Sequence, residues 1–263
     1  DDAAFTISGQ PATTVTLTAQ LAVVDPSATT VASYRFEEGV NGNTLTSAAD
    51  SAGANIMNVV DMTAVTKYSS NVLAPTVPKT GAMNTLATSW VGDSGGLVAP
   101  IDGTLATTNF TDFTIECYVQ FDDLTGWQTI VGRDDTGDPG LGVNASSLFY
   151  LQKMGADINK IRADFITATN NQFTVEANVT AVTGQWYHVA VVGDSIAGTC
   201  SLYIDGTLVG SGNGFPGLLV PPAGSITPWT IGRGYYGGNN NTDHVHGSID
   251  EVRFSRVALP VSE

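Results

Sequence analysis

Trp186-Tyr187-His188-Val189-Ala190-Val191-Val192, followed by Ser201-Leu202-Tyr203-Ile204-Asp205-Gly206-Thr207-Leu208-Val209-Gly210, decides the fold class. The first segment is rich in aromatic and β-branched residues, which suit a pleated surface. In the second, two short strand-like runs flank Asp205-Gly206, a dipeptide that supplies the positive φ angles of a tight hairpin turn. Working outward, short apolar or alternating runs recur at residues 31–36, 113–121, 129–131, 148–152, 161–166, 172–177, 229–232 and 248–254. Several are about six residues long, close to the usual strand length. Residues 44–100 read as irregular, punctuated by Asp50-Ser51-Ala52-Gly53, Pro75, Pro78 and Gly95-Gly96. No stretch keeps a helical period and no repeat is visible. Many short strands separated by turn residues predict an all-β antiparallel sandwich or barrel.

The composition agrees. Of 263 residues only 13% are charged, and Gly, Thr, Ser, Val and Ala fill much of the rest. Twenty-five acidic against 10 basic residues give a formal net charge of −15. That surface repels phosphate backbones and anionic headgroups, so neither nucleic acid nor a membrane is the expected partner. No run of about 18 apolar residues occurs, and Asp1-Asp2-Ala3-Ala4 reads as the start of a mature chain. Thr14 to Val24 alternates apolar and polar residues before Asp25-Pro26 breaks it. Residues 1–30 therefore read as a leading strand or linker: an edge strand of this domain, the end of a preceding one, or a strand donated to a neighbouring copy. Residues 31–263 form the main domain. Cys117 shares a strand face with Phe113, Ile115 and Val119, and Cys200 with Leu202 and Ile204, so both sulfurs should point into the core. They are either two separate buried thiols or, in an oxidising compartment, a bridge between the sheets.

Taken in order, several motifs resemble the laminin G-like, concanavalin A-like jelly-roll family. They are Tyr34-Arg35-Phe36-Glu37-Glu38-Gly39, Asp50-Ser51-Ala52-Gly53, Phe113-Thr114-Ile115-Glu116-Cys117-Tyr118-Val119, Gly184-Gln185-Trp186-Tyr187-His188-Val189-Ala190, Ser201 to Gly206, and Gly247-Ser248-Ile249-Asp250-Glu251-Val252-Arg253-Phe254. The resemblance covers residues 31–263 and implies a two-sheet jelly roll with its first and last strands side by side. With Trp229-Thr230-Ile231-Gly232-Arg233-Gly234 and a Tyr-Gly-rich loop, the chain looks like modules found in secreted or surface proteins of environmental bacteria. The superfamily hosts lectins, adhesion modules, glycosidases and lyases, so function has to come from the site.

No catalytic arrangement is expected. Related glycosidases place two carboxylates at alternate positions of one strand. Asp250 and Glu251 are adjacent, which in a regular strand sends them to opposite faces, and the Glu-x-Asp-x-x-Glu pattern is absent. A calcium ion is implied by the resemblance near the ends of the first and last strands, where Asp50, Asp250 and Glu38, with carbonyls around Gly39 and Asn41, are the matching positions. The bland alternative is that Asp50 caps its own turn. The acidic run Asp134-Asp135-Thr136-Gly137-Asp138 lacks the spacing of a calcium loop and reads as a polar turn.

The glycine-rich segment from Gly234 to Gly247 is the most distinctive. Tyr235, Tyr236, Asn239, Asn240, Asp243 and His244 supply the flat rings, amides and carboxylate that recognise a sugar, and Trp127 is a candidate to join them. His244 and His246 flank Val245 and suggest a transition metal such as zinc only if further ligands converge. Arg133 and Arg233 each follow Gly after an apolar strand; the shared context suggests neighbouring strand ends and a guanidinium pair for an anionic glycan. The expected function is a non-catalytic extracellular or cell-surface module that binds a polysaccharide or glycoconjugate, or mediates adhesion. The rival is a structural subunit that self-associates through its N-terminal strand; a glycan-cleaving enzyme is the third reading.

Overall fold

The computed structural model describes residues 29–60, 66–78, 80–91, 95–134, 147–155, 160–218, 220, 227–236 and 239–261. The strand expected at Thr14 to Val24 and the acidic turn from Asp135 onward lie outside the described residues. In chain order the first strands are β1 (Thr30–Tyr34), β2 (Ser47–Ala48), β3 (Met57–Val59), β4 (Lys67–Ser69), β5 (Ala87–Ser89) and β6 (Leu97–Val98). After a single helical turn, α1 (Thr104–Thr107), come β7 (Phe113–Phe121), β8 (Gln128–Asp134), β9 (Ser147–Lys153), β10 (Lys160–Ile166), β11 (Gln172–Asn178) and β12 (Trp186–Asp194). The last are β13 (Thr199–Ile204), β14 (Thr207–Asn213), β15 (Trp229–Ile231), β16 (Gly234–Tyr236), β17 (Asn239–Thr242) and β18 (Gly247–Ser255).

They build a six-stranded sheet in the order β1-β18-β7-β12-β13-β14 and an eight-stranded sheet in the order β11-β10-β9-β8-β15-β6-β3-β2, with two small ribbons, β4-β5 and β16-β17. The pairings are antiparallel, and first and last strands lie side by side as expected, Tyr34 opposite Val252. Asp205 and Gly206, with φ of 48° and 71°, make the β13–β14 turn. The stretch at 44–100, read as irregular, instead contributes β2, β3 and β6 to the eight-stranded sheet.

Alternation places Phe113, Ile115, Cys117 and Val119 of β7 in the interior, all fully buried. Facing them from the eight-stranded sheet are Phe149 and Leu151 of β9 and Ala163 and Phe165 of β10. The two sheets are joined by rings: Phe113 meets Phe149 and Phe165 edge-on at 6.0 and 6.2 Å, and Trp229 meets Phe254 at 5.1 Å. Such pairs add roughly 0.5–1.5 kcal/mol each beyond the area they bury. Gly193 stands opposite Phe113, where any Cβ would collide with the Phe113 and Phe215 rings.

One open alternative is decided here and one expectation is corrected. Cys117 (β7) and Cys200 (β13) are separate buried thiols, and because both strands belong to the six-stranded sheet a bridge between the sheets is ruled out. The regular alternation assumed at Asp250-Glu251 also fails. Asp250 lies opposite Tyr118 and Arg253 opposite Glu116, so Glu251 and Val252 together stand across from Cys117 alone. This is a β-bulge, and Glu251 takes the left-handed φ of 49° within it. A bulge re-aims side chains, so adjacency no longer implies opposite faces.

Candidate functional site

The glycine-rich segment folds back on itself as the β16–β17 ribbon, Gly234 opposite Thr242 and Tyr236 opposite Asn239. Its backbone is carried to the outer face of the eight-stranded sheet. A Cβ on Gly234 would meet Thr129 Oγ1 at 2.5 Å and Tyr150 Cε1 at 3.3 Å. The Thr129 amide donates to the Asp243 carbonyl at 2.7 Å. Asp243 adopts a left-handed φ of 52°, and its carboxyl is pushed up by burial, against the pull of the nearby Arg162. The side chains of Tyr235, Tyr236, Asn239 and Asn240 lie outside what is described.

Trp127 belongs to the same neighbourhood. It sits in the turn before β8, half-buried, with the Arg162 guanidinium 4.6 Å from its ring centroid. That turn is tied down from several sides. The Lys153 ammonium donates to the Gly126 carbonyl at 2.9 Å, and Gln128 Nε2 donates to the Asp123 carbonyl at 2.7 Å. The amide of His246 donates to Gln128 Oε1 at 3.0 Å, joining the turn to the segment after the ribbon. Arg162 is met in turn by Gln152: with the side-chain amide turned so that its oxygen faces donors, that oxygen accepts from Nε and Nη2 at 2.9 Å each and the nitrogen donates to Thr129 Oγ1. Asp164, two residues along β10, lies 3.4 Å from Arg162 and accepts from Gln172 Nε2 and Thr174 Oγ1 at 2.9 and 3.0 Å. Trp127, Arg162, Asp164, Gln172, Thr174 and Asp243 thus form one polar platform with an aromatic edge. Stacking on an indole holds the guanidinium plane in place, which preorganises its donors.

The arginine pair is not assembled. β8 and β15 run antiparallel with Arg133 opposite Trp229 and Val131 opposite Ile231, so Arg133 and Arg233 mark opposite ends of the strand pair. Both are buried, at 5% and 4% exposure. Arg133 donates to the carbonyls of Ala106 and Thr227 and lies 5.3 Å over the Trp229 ring. It is a structural cation of the core edge.

Neither are the calcium positions gathered. Asp50 caps its own turn: Oδ1 accepts from the amides of Ser33 and Ala52, and Oδ2 from the amide and side chain of Asn55. Glu38 Oε1 accepts from the Ala49 amide, and Asn41 Oδ1 from the Ser70 amide. Gly39 packs against the Tyr68 ring. Asp250 is fully buried, accepts from Asn84 and from the Glu251 amide, and is pushed by burial up to about 8. Calcium needs six or more ligating oxygens with lone pairs to spare; Asp50, whose two oxygens each already accept two hydrogen bonds, and Asp250, held as a neutral acid, do not fit it. His244 is buried and His246 half-buried, and no group of three or more His, Cys, Asp or Glu suited to a metal occurs among the described residues.

A second feature was not foreseen. On the outer face of the six-stranded sheet, a cavity of about 220 Å³ is lined by Ser33, Arg35, Glu116, Tyr118, His188, Glu251 and Arg253, under a roof of Val77, Thr80 and Ala82. A signal for it existed: Glu116, Tyr118, His188 and Arg253 occupy the outward positions of otherwise apolar strands, where charges must find partners.

The laminin G family model described as the concanavalin A-like lectin/glucanases superfamily matches residues 91–263, and the chain belongs to that superfamily. No curated protein matches the chain. Among solved structures, domain 4 of AbnA, a GH43 extracellular arabinanase from Geobacillus stearothermophilus solved in complex with arabinotriose, is similar with a TM-score of 0.58 at 19% identity, over 88% of this chain and 94% of that one. The CBM40 of the Ruminococcus gnavus IT-sialidase is similar with a TM-score of 0.53 at 13% identity, over 66% of this chain and 91% of that one. The botulinum neurotoxin serotype D binding domain gives a TM-score of 0.56 at 11% identity, over 89% of this chain and 49% of that one. At these identities the likeness is one of fold.

Proposed function

We propose that this member of the superfamily is a non-catalytic, extracellular carbohydrate-binding module whose glycan lies on the outer face of the eight-stranded sheet, between Trp127 and the tyrosine-bearing ribbon. The observation that carries the reading is the convergence on that face of the Trp127–Arg162 stack, Asp243 and the β16–β17 backbone. Sugar rings present CH faces to aromatics and hydroxyls to planar donors and acceptors; an indole edge, a fixed guanidinium, and the amide and carboxylate of Gln172 and Asp164 provide both. The two ribbon strands carry Tyr235, Tyr236, Asn239 and Asn240 in their sequence. The non-catalytic part rests on the sequence, in which the Glu-x-Asp-x-x-Glu pattern of the related glycosidases is absent. Domain 4 of AbnA, solved with arabinotriose, and the CBM40 module share the architecture, which makes polysaccharides and glycoconjugates the ligands to screen first. Among the described residues no helix is long and apolar enough to cross a membrane.

A glycan array with the wild-type chain and with Trp127→Ala, Arg162→Ala and Tyr235→Ala/Tyr236→Ala tests this. The expected result is binding to one glycan class, weakened about tenfold or more in each variant whose thermal unfolding matches wild type. Glycan binding that survives all three variants unchanged would remove this face from the account.

A further inference from the structure

The cavity on the six-stranded sheet is built from elements far apart in the chain. Ser33 and Arg35 come from β1 and its end, Glu116 and Tyr118 from β7, His188 from β12, and Glu251 and Arg253 from β18. The roof is a tight turn in which the Val77 amide donates to the Ala82 carbonyl and the Gly81 amide to the Val77 carbonyl, 2.8 Å each. Arg35 fixes that roof by donating from Nη2 to the Met83 carbonyl at 2.5 Å.

The charges of the described lining residues are held in ion pairs. Arg35 Nε donates to Glu251 Oε1 at 2.8 Å. Arg253 donates from Nε to Glu116 Oε1 at 2.7 Å, and the His188 Nε2 stands 2.9 Å from Glu116 Oε2. The Tyr118 and His188 rings lie 5.0 Å apart. Among the described lining residues two guanidiniums, Arg35 and Arg253, thus face two carboxylates, Glu116 and Glu251. Polar capacity nevertheless remains. Among the described residues nothing hydrogen-bonds to the Tyr118 hydroxyl, Nη1 of Arg35 or Arg253, Ser33 Oγ or Glu251 Oε2. The bulge that places Glu251 here holds it at a left-handed φ of 49°, a conformation unfavourable for a non-glycine residue and found disproportionately at ligand sites.

We infer that this cavity is a second binding site, on the opposite face of the sandwich from Trp127, for a single neutral sugar residue. Three features choose that class. Carboxylates and guanidiniums interleave among the described lining residues, which favours a ligand without charge, because an anion would sit beside Glu116 and Glu251 and a cation beside Arg35 and Arg253. Unpaired donors and an unpaired carboxylate oxygen side by side match hydroxyls, which both donate and accept. A volume of about 220 Å³ lies below the roughly 300–1,000 Å³ of pockets for larger ligands, so one ring fits and an oligosaccharide does not.

The test titrates isotope-labelled chain with the methyl glycosides of glucose, galactose, mannose, xylose and arabinose, reading backbone amide shifts. The expected result is a saturable millimolar response of the Tyr118 and Arg253 amides to at least one glycoside. Tyr118→Phe, which removes one hydroxyl and no described hydrogen bond, should weaken it about threefold to tenfold. Ala82→Leu, which fills the roof without touching the ion pairs, should abolish it, and Trp127→Ala should leave it unchanged. The inference is overturned if no glycoside moves these amides, if Tyr118→Phe and Ala82→Leu bind as wild type, or if glucuronate competes more tightly than every neutral glycoside. Failure here leaves the Trp127 face untouched, and loss of array binding in Trp127→Ala leaves this site untouched.

Discussion

Replacing Asp250 by Asn is expected to stabilise the fold at neutral pH, by an amount that grows as pH rises. Asp250 has no solvent exposure. Burial is the largest cause that pushes its carboxyl from 3.8 to about 8; the charges of Glu251 and Glu37 act in the same direction, while hydrogen bonds from Asn84 and the Glu251 amide oppose them. A carboxyl that titrates higher in the folded than in the unfolded chain keeps its proton on folding. Between about pH 4 and pH 8 the folded state therefore binds more protons, and stability falls as pH rises through that window. Each pH unit is worth about 1.4 kcal/mol, so from about pH 5 to about pH 8 the wild-type chain should lose roughly 4 kcal/mol that the Asn variant keeps. The variant preserves shape and offers an amide to Asn84 Oδ1, which is buried without a hydrogen-bond partner. Denaturant unfolding of both proteins at several pH values measures this, and taking the difference between them cancels the background of the −15 surface. The expected difference widens in favour of the variant across the window and levels off above it. A difference that stays flat, or a variant destabilised only when calcium is present, would refute a buried neutral acid and return Asp250 to the role of a metal ligand.

Three further outcomes follow from the same geometry. Glu116→Ala should cost about 3 kcal/mol in unfolding free energy, since it strips Arg253 and His188 of a partner that is only 4% exposed; loss below about 1 kcal/mol would show the pair to be solvated. Cys117 and Cys200 should resist thiol reagents in the folded chain and react on unfolding, because burial raises the Cys117 thiol well above its ordinary value and the Cys200 thiol to about 12. Chelation should leave the melting temperature unchanged, and a drop restored by calcium would contradict the saturated hydrogen bonding of Asp50.

The strands that were legible in the sequence are those whose signal is local. β7 spans the run Phe113–Phe121 because alternate apolar side chains face a core, and the β13–β14 hairpin turns at Asp205-Gly206 because those residues accept positive φ. The two- and three-residue strands β2, β3 and β6 carry no periodicity of their own; β6 is placed by pairing with β15 across more than a hundred residues, and β3 and β2 follow by pairing in turn onto β6 and β3. The bulge in β18 is equally silent: one extra residue between Ile249 and Phe254 changes no composition, yet it redirects Glu251 and undoes an argument from adjacency. Arg133 misled because Gly-Arg after an apolar strand does not reveal whether the guanidinium turns inward to backbone carbonyls. The ribbon and Trp127 were named from their chemistry, but Arg162, which links them, looked like an ordinary strand residue. The cavity stayed hidden because its partners are separated by up to 216 positions, as Arg35 is from Glu251.

The most direct test of the central claim is a crystal structure of the chain soaked with the oligosaccharide that binds best on the array. The account predicts an intact oligosaccharide packed against Trp127 and Arg162 and reaching the β16–β17 ribbon. A cleaved glycan, or an intact one bound at any other surface with the Trp127 face bare, would contradict it.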